Sequence, residues 1–275
     1  AIGGCDVTEL AARFGTPLYV FDEATLRNRA GEFVREFGSR YPEVAVLYAS
    51  KAFINKALVR LFAEEGMGFD VVSAGELAVV RAAGVPLDRV YFHGNNKGPE
   101  ELRLALEWGI GRIVVDNFYE LDTLEALGAR RGRAQDVLLR ITPGVDPHTH
   151  AYISTGATDS KFGFPLATGA AGQAVQRAMA LPHVNLIGLH MHLGSQLFET
   201  EPYAMAIDGL VGFAAGMVRQ HGLDLQEFSP GGGFAVQYVE GRTAQGIGVY
   251  AQIISDAMKQ AFSAHGLPLP RLIIE

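Results

Sequence analysis

Short runs of β-branched and other apolar residues alternate with amphipathic stretches along most of the chain. The runs have the length of buried strands, and between them apolar residues recur with the period of a helix. This pattern predicts eight strands, at Val44–Ser50, Gly68–Val72, Val90–His93, Arg112–Asp116, Val137–Ile141, Leu186–His192, Leu225–Ser229 and Arg271–Glu275. It predicts seven intervening helices, at Lys56–Glu65, Gly75–Ala83, Pro99–Trp108, Tyr119–Leu127, Ala170–Ala180, Pro202–Gln220 and Tyr250–His265. Upstream, it predicts helices at Thr8–Phe14 and Glu23–Phe37 and a strand at Pro17–Phe21.

Strict alternation of strands and helices favours a parallel sheet, and eight such units favour a closed (β/α)8 barrel. We therefore expect residues 1–40 to lead into a barrel formed by residues 41–275. A doubly wound sheet is the alternative architecture. It is disfavoured because no predicted strand is followed by the Gly-x-Gly-x-x-Gly pattern of dinucleotide-binding folds.

Composition narrows the class of protein. Of 275 residues, 48% are hydrophobic and 19% charged, which is enough to form a sizeable core. The net charge of −7 and the absence of a basic run argue against nucleic-acid or membrane-surface partners. A single cysteine, Cys5, excludes an internal disulfide framework. We expect a soluble, cytoplasmic protein.

Polar residues that suit catalysis cluster where the predicted strands end. In a barrel, the carboxyl ends of the strands and the loops after them form the face that carries active sites. The candidates are Lys51, Asp70, Glu76, His93, Arg140, His190, His192, Ser195, Gly231, Gly232, Gly233 and Glu275. If the barrel forms, these side chains converge on one rim.

Each candidate has a chemical and a structural interpretation. Lys51 is flanked by the small residues Ser50 and Ala52, so a ligand has room beside its amine, and a neutral amine attacks carbonyls to form Schiff bases. By the two-residue period of a strand, His190 and His192 share one face, which is compatible with core packing, a metal site or catalysis. The three glycines from residue 231 form either a tight turn or a backbone cradle for a phosphate.

Five motifs in this order resemble the fold-type III pyridoxal-phosphate decarboxylases along essentially the whole chain. They are YASKA (48–52), FDVVSAGEL (69–77), HMHLGSQL (190–197), PGGGF (230–234) and the terminal IIE. The resemblance implies a barrel, pyridoxal 5′-phosphate as cofactor, a small amino-acid substrate and a homodimer. Gly194-Ser195-Gln196 and the segment His150–Phe164 are more similar to the diaminopimelate branch of the family than to the ornithine and arginine branches.

The resemblance also assigns roles to residues. Lys51 resembles the lysine that holds the cofactor as a Schiff base, and His192 resembles the histidine that stacks on the cofactor ring. Glu275 resembles the carboxylate that keeps the ring nitrogen protonated. His190 matches no family residue with a known role, and we interpret it as structural.

The remaining assignments concern the phosphate and the surroundings of the ring. Ser195 and the glycines Gly231, Gly232 and Gly233 correspond to phosphate contacts. Asp70, Glu76 and Arg140 lie where family members support the ring. No metal is implied.

The chain departs from the family pattern where it ends. In the family the glutamate at position 275 opens a Glu-Pro-Gly-Arg motif, and a second, mainly β domain follows with a cysteine proton donor. Cys5 does not occupy that position. We therefore expect a fragment of a longer enzyme.

Four alternatives stay open from the sequence. A related enzyme could decarboxylate ornithine or arginine, and a non-catalytic protein of this fold could merely bind the cofactor. Racemases with a similar barrel fit less well, because the segment His150–Phe164 has the decarboxylase pattern. A metal-dependent barrel hydrolase would also use His-x-His and lysine, but with the histidines after the first strand, which reverses the order found here.

Overall fold

Capping residues set the points at which several helices begin. The computed structural model describes residues 1–146, 151–152, 161–238, 240–241 and 243–275. Within it, the side chains of Asn55, Ser73 and Asn117 each accept a hydrogen bond from the backbone N–H three residues later. Such caps satisfy backbone donors that the first helical turn leaves free. Each cap follows a strand closely, so the strand-to-helix turns are short.

Helices and strands follow the predicted alternation. The helices are α1 Val7–Phe14, α2 Glu23–Gly38, α3 Lys56–Glu64, α4 Ala74–Ala83, α5 Pro99–Trp108, α6 Phe118–Arg131, α7 Ala170–Ala180, α8 Glu201–His221 and α9 Ile247–Ala264. The strands are β1 Val44–Ala49, β2 Gly68–Val71, β3 Val90–Phe92, β4 Arg112–Val115, β5 Gln135–Thr142, β6 Val145–Asp146, β7 Ala151–Tyr152, β8 Phe164–Pro165, β9 Val184–His190, β10 Glu227–Gly231 and β11 Arg271–Ile274. Short 3-10 turns lie at Ser50–Ala52 and Leu87–Arg89.

Eight parallel strands close into a barrel. Their order around it is β4, β3, β2, β1, β11, β10, β9 and β5, and β4 pairs with β5 to complete the circle. The barrel prediction is confirmed and the doubly wound sheet is excluded, because an open sheet has no pairing between its edge strands. The short strand β8 pairs in parallel with the carboxyl end of β5, and β6 pairs with β7 in an antiparallel ribbon.

Two hydrophobic clusters hold the barrel together. The smaller one fills the barrel interior with inward-facing strand residues, namely Leu47, Tyr91, Val114, Leu138, Ile187 and Ile273. The larger one lies between the strands and the surrounding helices and contains fully buried aromatic residues such as Phe69, Phe92 and Phe228. Strands buried on both faces explain why the sequence shows continuous apolar runs rather than alternation.

A buried ionic cluster closes the barrel at the amino ends of the strands. Glu227, the first residue of β10, accepts a hydrogen bond from the Tyr91 hydroxyl at 3.0 Å and another from the Arg112 guanidinium at 2.9 Å. Arg112 begins β4, so these groups lie at the end of the barrel opposite the predicted functional rim.

The predicted strand at Pro17–Phe21 is wrong. These residues form no strand and pair with none of the described strands. Their apolar side chains are exposed, up to 90% for Tyr19, and Phe21 stacks on Phe53 with 5.0 Å between ring centroids. Apolar β-branched and aromatic residues favour a strand only when a neighbouring backbone supplies hydrogen bonds, and no described segment does so here.

Candidate active site

Most of the predicted functional residues gather around one cavity of about 700 Å³ at the carboxyl ends of the strands. Residues from most of the barrel strands or the loops after them line it: Lys51, Asp70, Val72, His93, Gly94, Asn95, Asn96, Arg140, Ile141, Thr142, Phe162, His190, His192, Leu193, Gly194, Ser195 and Glu275. The barrel therefore brings together side chains separated by more than 200 positions in sequence. Glu76 and the three glycines do not line this cavity.

Lys51 lies in the 3-10 turn directly after β1, one residue beyond the predicted strand end. Its side chain is 55% exposed, and its Nζ lies 3.5 Å from Oδ2 of Asp70. Asp70, on the neighbouring strand β2, has only 1% of its side chain exposed. The amine therefore sits between open space and a buried carboxylate, accessible to a ligand that enters the cavity.

Glu275 forms the buried floor. It follows the last residue of β11, and its Oε1 lies 2.9 Å from Nε2 of His190 and 3.6 Å from Nε2 of His93. The Ser229 hydroxyl donates a longer hydrogen bond of 3.4 Å to the same oxygen. Burial alone would raise the pKa of Glu275, but His93, His190 and His192 hold that pKa well below its usual value. Glu275 is therefore the ionised carboxylate of the cavity.

The pKa of Asp70 shifts in the opposite direction to that of Glu275. Burial and the neighbouring charge of Glu275 raise its pKa to about 7, although Lys51 lowers it. Two close carboxylates in a low-dielectric site divide their protons unequally, because both cannot ionise without mutual repulsion. Asp70 is the member of the pair that takes up a proton near neutral pH.

His192 follows β9 and is neutral in this environment. Burial lowers its pKa to about 4, with further lowering by His190 and Arg140 and an opposing effect of Glu275. Its Nδ1 is buried and has no hydrogen-bond partner. A neutral imidazole in the wall of a cavity presents an apolar ring face to a bound ligand.

Arg140 has surroundings that the sequence did not indicate. It lies within β5 rather than at its end, and its guanidinium stands 4.2 Å from the ring centroid of Phe162. Its Nε is 3.9 Å from Oδ1 of Asp116, and Oδ2 of Asp116 accepts a hydrogen bond of 3.0 Å from the Gly163 N–H. Asp116 was missed as a site residue, although its position directly after β4 is the same signal that selected the others.

Glu76 has a structural contact instead. It lies in the first turn of α4, and its Oε2 accepts a hydrogen bond of 2.8 Å from the Val72 N–H. This hydrogen bond stabilises the turn between β2 and α4. Glu76 does not line the cavity, so its predicted place beside the cofactor ring is not what the structure shows.

The glycine-rich loop packs against the loop after β9. A Cβ on Gly232 would lie 2.2 Å from the Glu275 carbonyl oxygen, and one on Gly233 would lie 1.9 Å from the Gly194 carbonyl oxygen. Gly231 and Gly233 also have φ of +79° and +92°. Glycine is required here because other residues rarely adopt that backbone conformation and none has room for its Cβ. The loop thus places its backbone directly behind Ser195.

Lys97 is the buried lysine nearest to this site, but it does not line the cavity. Its Nζ lies 2.7 Å from Oε1 of Glu120 and donates hydrogen bonds to the Gly94 and Val114 carbonyl oxygens at 2.5 and 2.9 Å. All its donors are used in tying the loop after β3 to β4. Lys97 is structural.

Buried polar atoms without partners mark the cavity as a ligand site. Oδ1 of Asp70 and the Nδ1 atoms of His190 and His192 lack a hydrogen-bond partner, and Nε2 of His93 has no acceptor closer than 3.6 Å. Such atoms are costly and uncommon in folded proteins, so their concentration here indicates a place shaped for a polar ligand. Potential ligand atoms of His93, His190 and Glu275 also lie within 4.8 Å of one another, a set that could hold a metal ion. This set differs from the His190/His192 pair that the sequence raised.

Comparison with known proteins decides the family. The family described as "Pyridoxal-dependent decarboxylase, pyridoxal binding domain" matches residues 24–275. The chain belongs to the pyridoxal-dependent decarboxylases. The resemblance inferred from the five motifs is confirmed, and the hydrolase alternative loses its basis because that family match spans the whole barrel.

Relatives in this decarboxylase family match the entire chain. It is 45% identical over 274 residues to diaminopimelate decarboxylases of Bacillus subtilis and Halalkalibacterium halodurans, covering 100% of this chain and 62% of each relative. A solved diaminopimelate decarboxylase from "m. jannaschi" superposes with a TM-score of 0.91 at 33% identity, over 99% of this chain and 63% of that one. One from Helicobacter pylori, complexed with L-lysine, gives 0.85 at 30% identity, over 98% and 65%.

The chain spans about three fifths of the length of the curated decarboxylases it matches. The segment His150–Phe164, which favoured the diaminopimelate branch in the sequence, lies mostly outside the described residues, which leave out its positions 150 and 153–160. Among the helices described, none is long and apolar enough to cross a lipid bilayer.

Proposed function

We propose that this chain is the cofactor-binding barrel of a pyridoxal-phosphate enzyme that decarboxylates meso-diaminopimelate to L-lysine. The observation that carries the proposal is the pairing of Lys51 at the open side of the cavity with ionised Glu275 on its floor. An accessible amine and a buried anion on one cavity suit a ligand with an aldehyde at one position and a protonated ring nitrogen at another. The family match points to pyridoxal phosphate as that ligand.

The residues present fit this cofactor. Lys51 would hold it through the amine, Glu275 would face its ring nitrogen, and the neutral ring of His192 would lie against its face. Ser195 and the backbone of the loop Gly231–Gly233 would receive the phosphate, since closely packed glycines expose N–H groups to an anion. Arg140 and Asp70 would border the ring.

When bound, pyridoxal phosphate supplies a conjugated ring that accepts the electron pair left on the α carbon as CO2 departs. The chain's own residues would position the cofactor and the substrate and would set the charges around them. Ionised Glu275 would favour a protonated ring nitrogen in that cofactor, because an opposite charge at close range favours the charged form. Asp70, protonated near neutral pH, avoids adding a second negative charge beside Lys51. The cavity walls would hold the substrate's α carbon near these groups.

The choice of diaminopimelate rests on similarity. The relatives at 45% identity are diaminopimelate decarboxylases, and solved structures of such enzymes contain L-lysine, the product of that reaction. A lysine/ornithine decarboxylase from Vibrio vulnificus superposes less closely, with a TM-score of 0.76 at 25% identity. A homodimer, a cytoplasmic location and a second domain remain predictions.

The test is release of labelled CO2 from carboxyl-labelled meso-diaminopimelate by the full-length protein that contains this chain, with labelled ornithine, arginine and lysine as competing substrates. We expect CO2 from diaminopimelate alone. Lys51→Ala should abolish it, whereas Lys259→Ala, an exposed lysine on α9, should not. Cofactor binding without CO2 release from any substrate would favour a non-catalytic protein, and release from ornithine or arginine alone would move the protein to another branch.

A further inference from the structure

Two buried histidines meet on the floor of the cavity, although their strands are not neighbours. His190 is the last residue of β9 and His93 follows β3, and two other strands separate β9 from β3 around the barrel. Their rings contact edge to face across the barrel interior, with centroids 5.0 Å apart and planes at 75°. Both residues are almost inaccessible, at 1% exposure for His190 and 5% for His93.

Ordinary core packing does not explain these rings. A buried imidazole normally satisfies its nitrogens with backbone or side-chain groups, since an unpaired polar atom in the interior costs free energy. Nδ1 of His190 has no hydrogen-bond partner, and Nε2 of His93 has no acceptor closer than 3.6 Å. What both Nε2 atoms do approach is Oε1 of Glu275, at 2.9 Å from His190 and 3.6 Å from His93.

Glu275 has little else to hold it. The Ser229 hydroxyl reaches its carboxylate only at 3.4 Å, and the Arg140 guanidinium favours its charged form without a hydrogen bond to it. An unsupported buried carboxylate takes up a proton, because burial disfavours its charged form. The two histidines therefore supply the close side-chain N–H groups that offset this tendency.

We propose that His190, backed by His93, is a positioning residue that holds the Glu275 carboxylate in place and ionised. The inference rests on the proposed function for its catalytic consequence, because Glu275 acts on the cofactor nitrogen there. His190 itself touches neither cofactor nor substrate in this account. Its effect on turnover passes through Glu275.

The first readout needs no cofactor. In infrared spectra of the cofactor-free protein at pH 7, His190→Leu should show an extra protonated-carboxyl band beyond the absorption that Asp70 contributes in the wild type. That extra band should vanish in the double variant His190→Leu/Glu275→Gln, which identifies its source and separates it from Asp70. A spectrum unchanged by His190→Leu overturns the proposal, whether or not the protein decarboxylates anything.

The second readout is a double-mutant cycle on turnover. His190→Leu should lower kcat about tenfold to a hundredfold, the effect of losing a hydrogen bond to a charged group, and should lower it further by less than about twofold when Glu275 is already glutamine. Equal losses in both backgrounds would show that His190 does not act through Glu275. The control is His183→Leu, which removes a His–Glu pair at 2.8 Å on the surface, with Glu125, and should leave kcat unchanged.

Conservative variants cover the case in which His190→Leu does not fold. Glutamine places its amide nitrogen near the position of Nε2, which faces Glu275, whereas asparagine places it near Nδ1. We expect His190→Gln to keep most of the wild-type kcat and to show no new carboxyl band, and His190→Asn to lose activity and gain the band. Identical behaviour of the two variants would refute a role for the Nε2 contact. A wild type inactive on every amino acid tested would defeat the proposed function but leave the infrared result to decide this inference.

Discussion

Asp70 yields a prediction about stability whose sign depends on pH. Its carboxyl is buried, and burial together with the charge of Glu275 raises its pKa from 3.8 to about 7. The folded state therefore binds a proton that the unfolded state releases between these two values. That stabilisation is fully present below pH 3.8 and is lost as the pH rises through about 7.

The size of the pKa shift of Asp70 determines how much its ionisation changes the free energy of unfolding. Each pKa unit corresponds to about 1.4 kcal/mol, so complete ionisation of Asp70 costs the fold up to roughly 4 kcal/mol. Roughly 2–3 kcal/mol of this falls between pH 5 and pH 8. Asp70→Asn keeps the shape and removes the charge. We expect its free energy of unfolding, relative to wild type, to rise by about 2–3 kcal/mol between pH 5 and pH 8.

The assay is reversible urea unfolding of the cofactor-free protein at pH 5 and pH 8. Asp122→Asn is the matched control, because Asp122 is about half exposed and pairs with Arg177 on the surface. That variant should differ from wild type by the same amount at both pH values. The reasoning is refuted if Asp70→Asn also shows a constant difference, since Asp70 would then be ionised in the fold and stabilised by Lys51.

Other variants test the site and the opposite end of the barrel. Glu275→Gln should keep the cofactor but lower turnover by about one to two decades, as expected for loss of a charge-assisted hydrogen bond felt in the transition state. Unchanged turnover would show that Glu275 is not the carboxylate that faces the cofactor nitrogen. Gly233→Ala should weaken cofactor binding in an absorbance titration because its Cβ would lie 1.9 Å from a carbonyl oxygen, whereas Gly172→Ala, with open space around it, should bind normally. Glu227→Gln should lower the free energy of unfolding by roughly 2–3 kcal/mol without altering cofactor affinity, because its buried contacts lie away from the cavity. The 275-residue chain alone should release CO2 from diaminopimelate far more slowly than the full-length protein, and equal rates would show that the barrel suffices.

Periodicity was enough to predict the barrel because its strands are buried on both faces. Runs such as Arg112–Val115 and Arg271–Ile274 are almost wholly apolar, and each is followed directly by an acidic residue, Asp116 or Glu275. The rule that catalytic groups lie at strand ends then predicted, from the sequence alone, that Lys51, His93 and Glu275 lie on one rim of the barrel. The same rule, applied to β4, would have added Asp116.

The hydrophobic pattern could not predict which strands pair or which side chains meet across the barrel. Pro17–Phe21 has the composition of a strand, but composition does not state whether a partner strand exists. His93 and His190 meet only because the barrel closes, and no periodic signal links loops from non-adjacent strands. His190 was therefore interpreted as structural, whereas its closest polar contact is the carboxylate of Glu275.

The central claim is that Lys51 holds pyridoxal phosphate in this cavity. Borohydride reduction of the cofactor-loaded protein, followed by peptide mapping, measures this directly because reduction fixes the cofactor on the lysine that carries it. We predict the pyridoxyl group on the peptide containing Lys51, with none on Lys259. A pyridoxyl group on Lys97 or Lys161 instead would contradict the assignment.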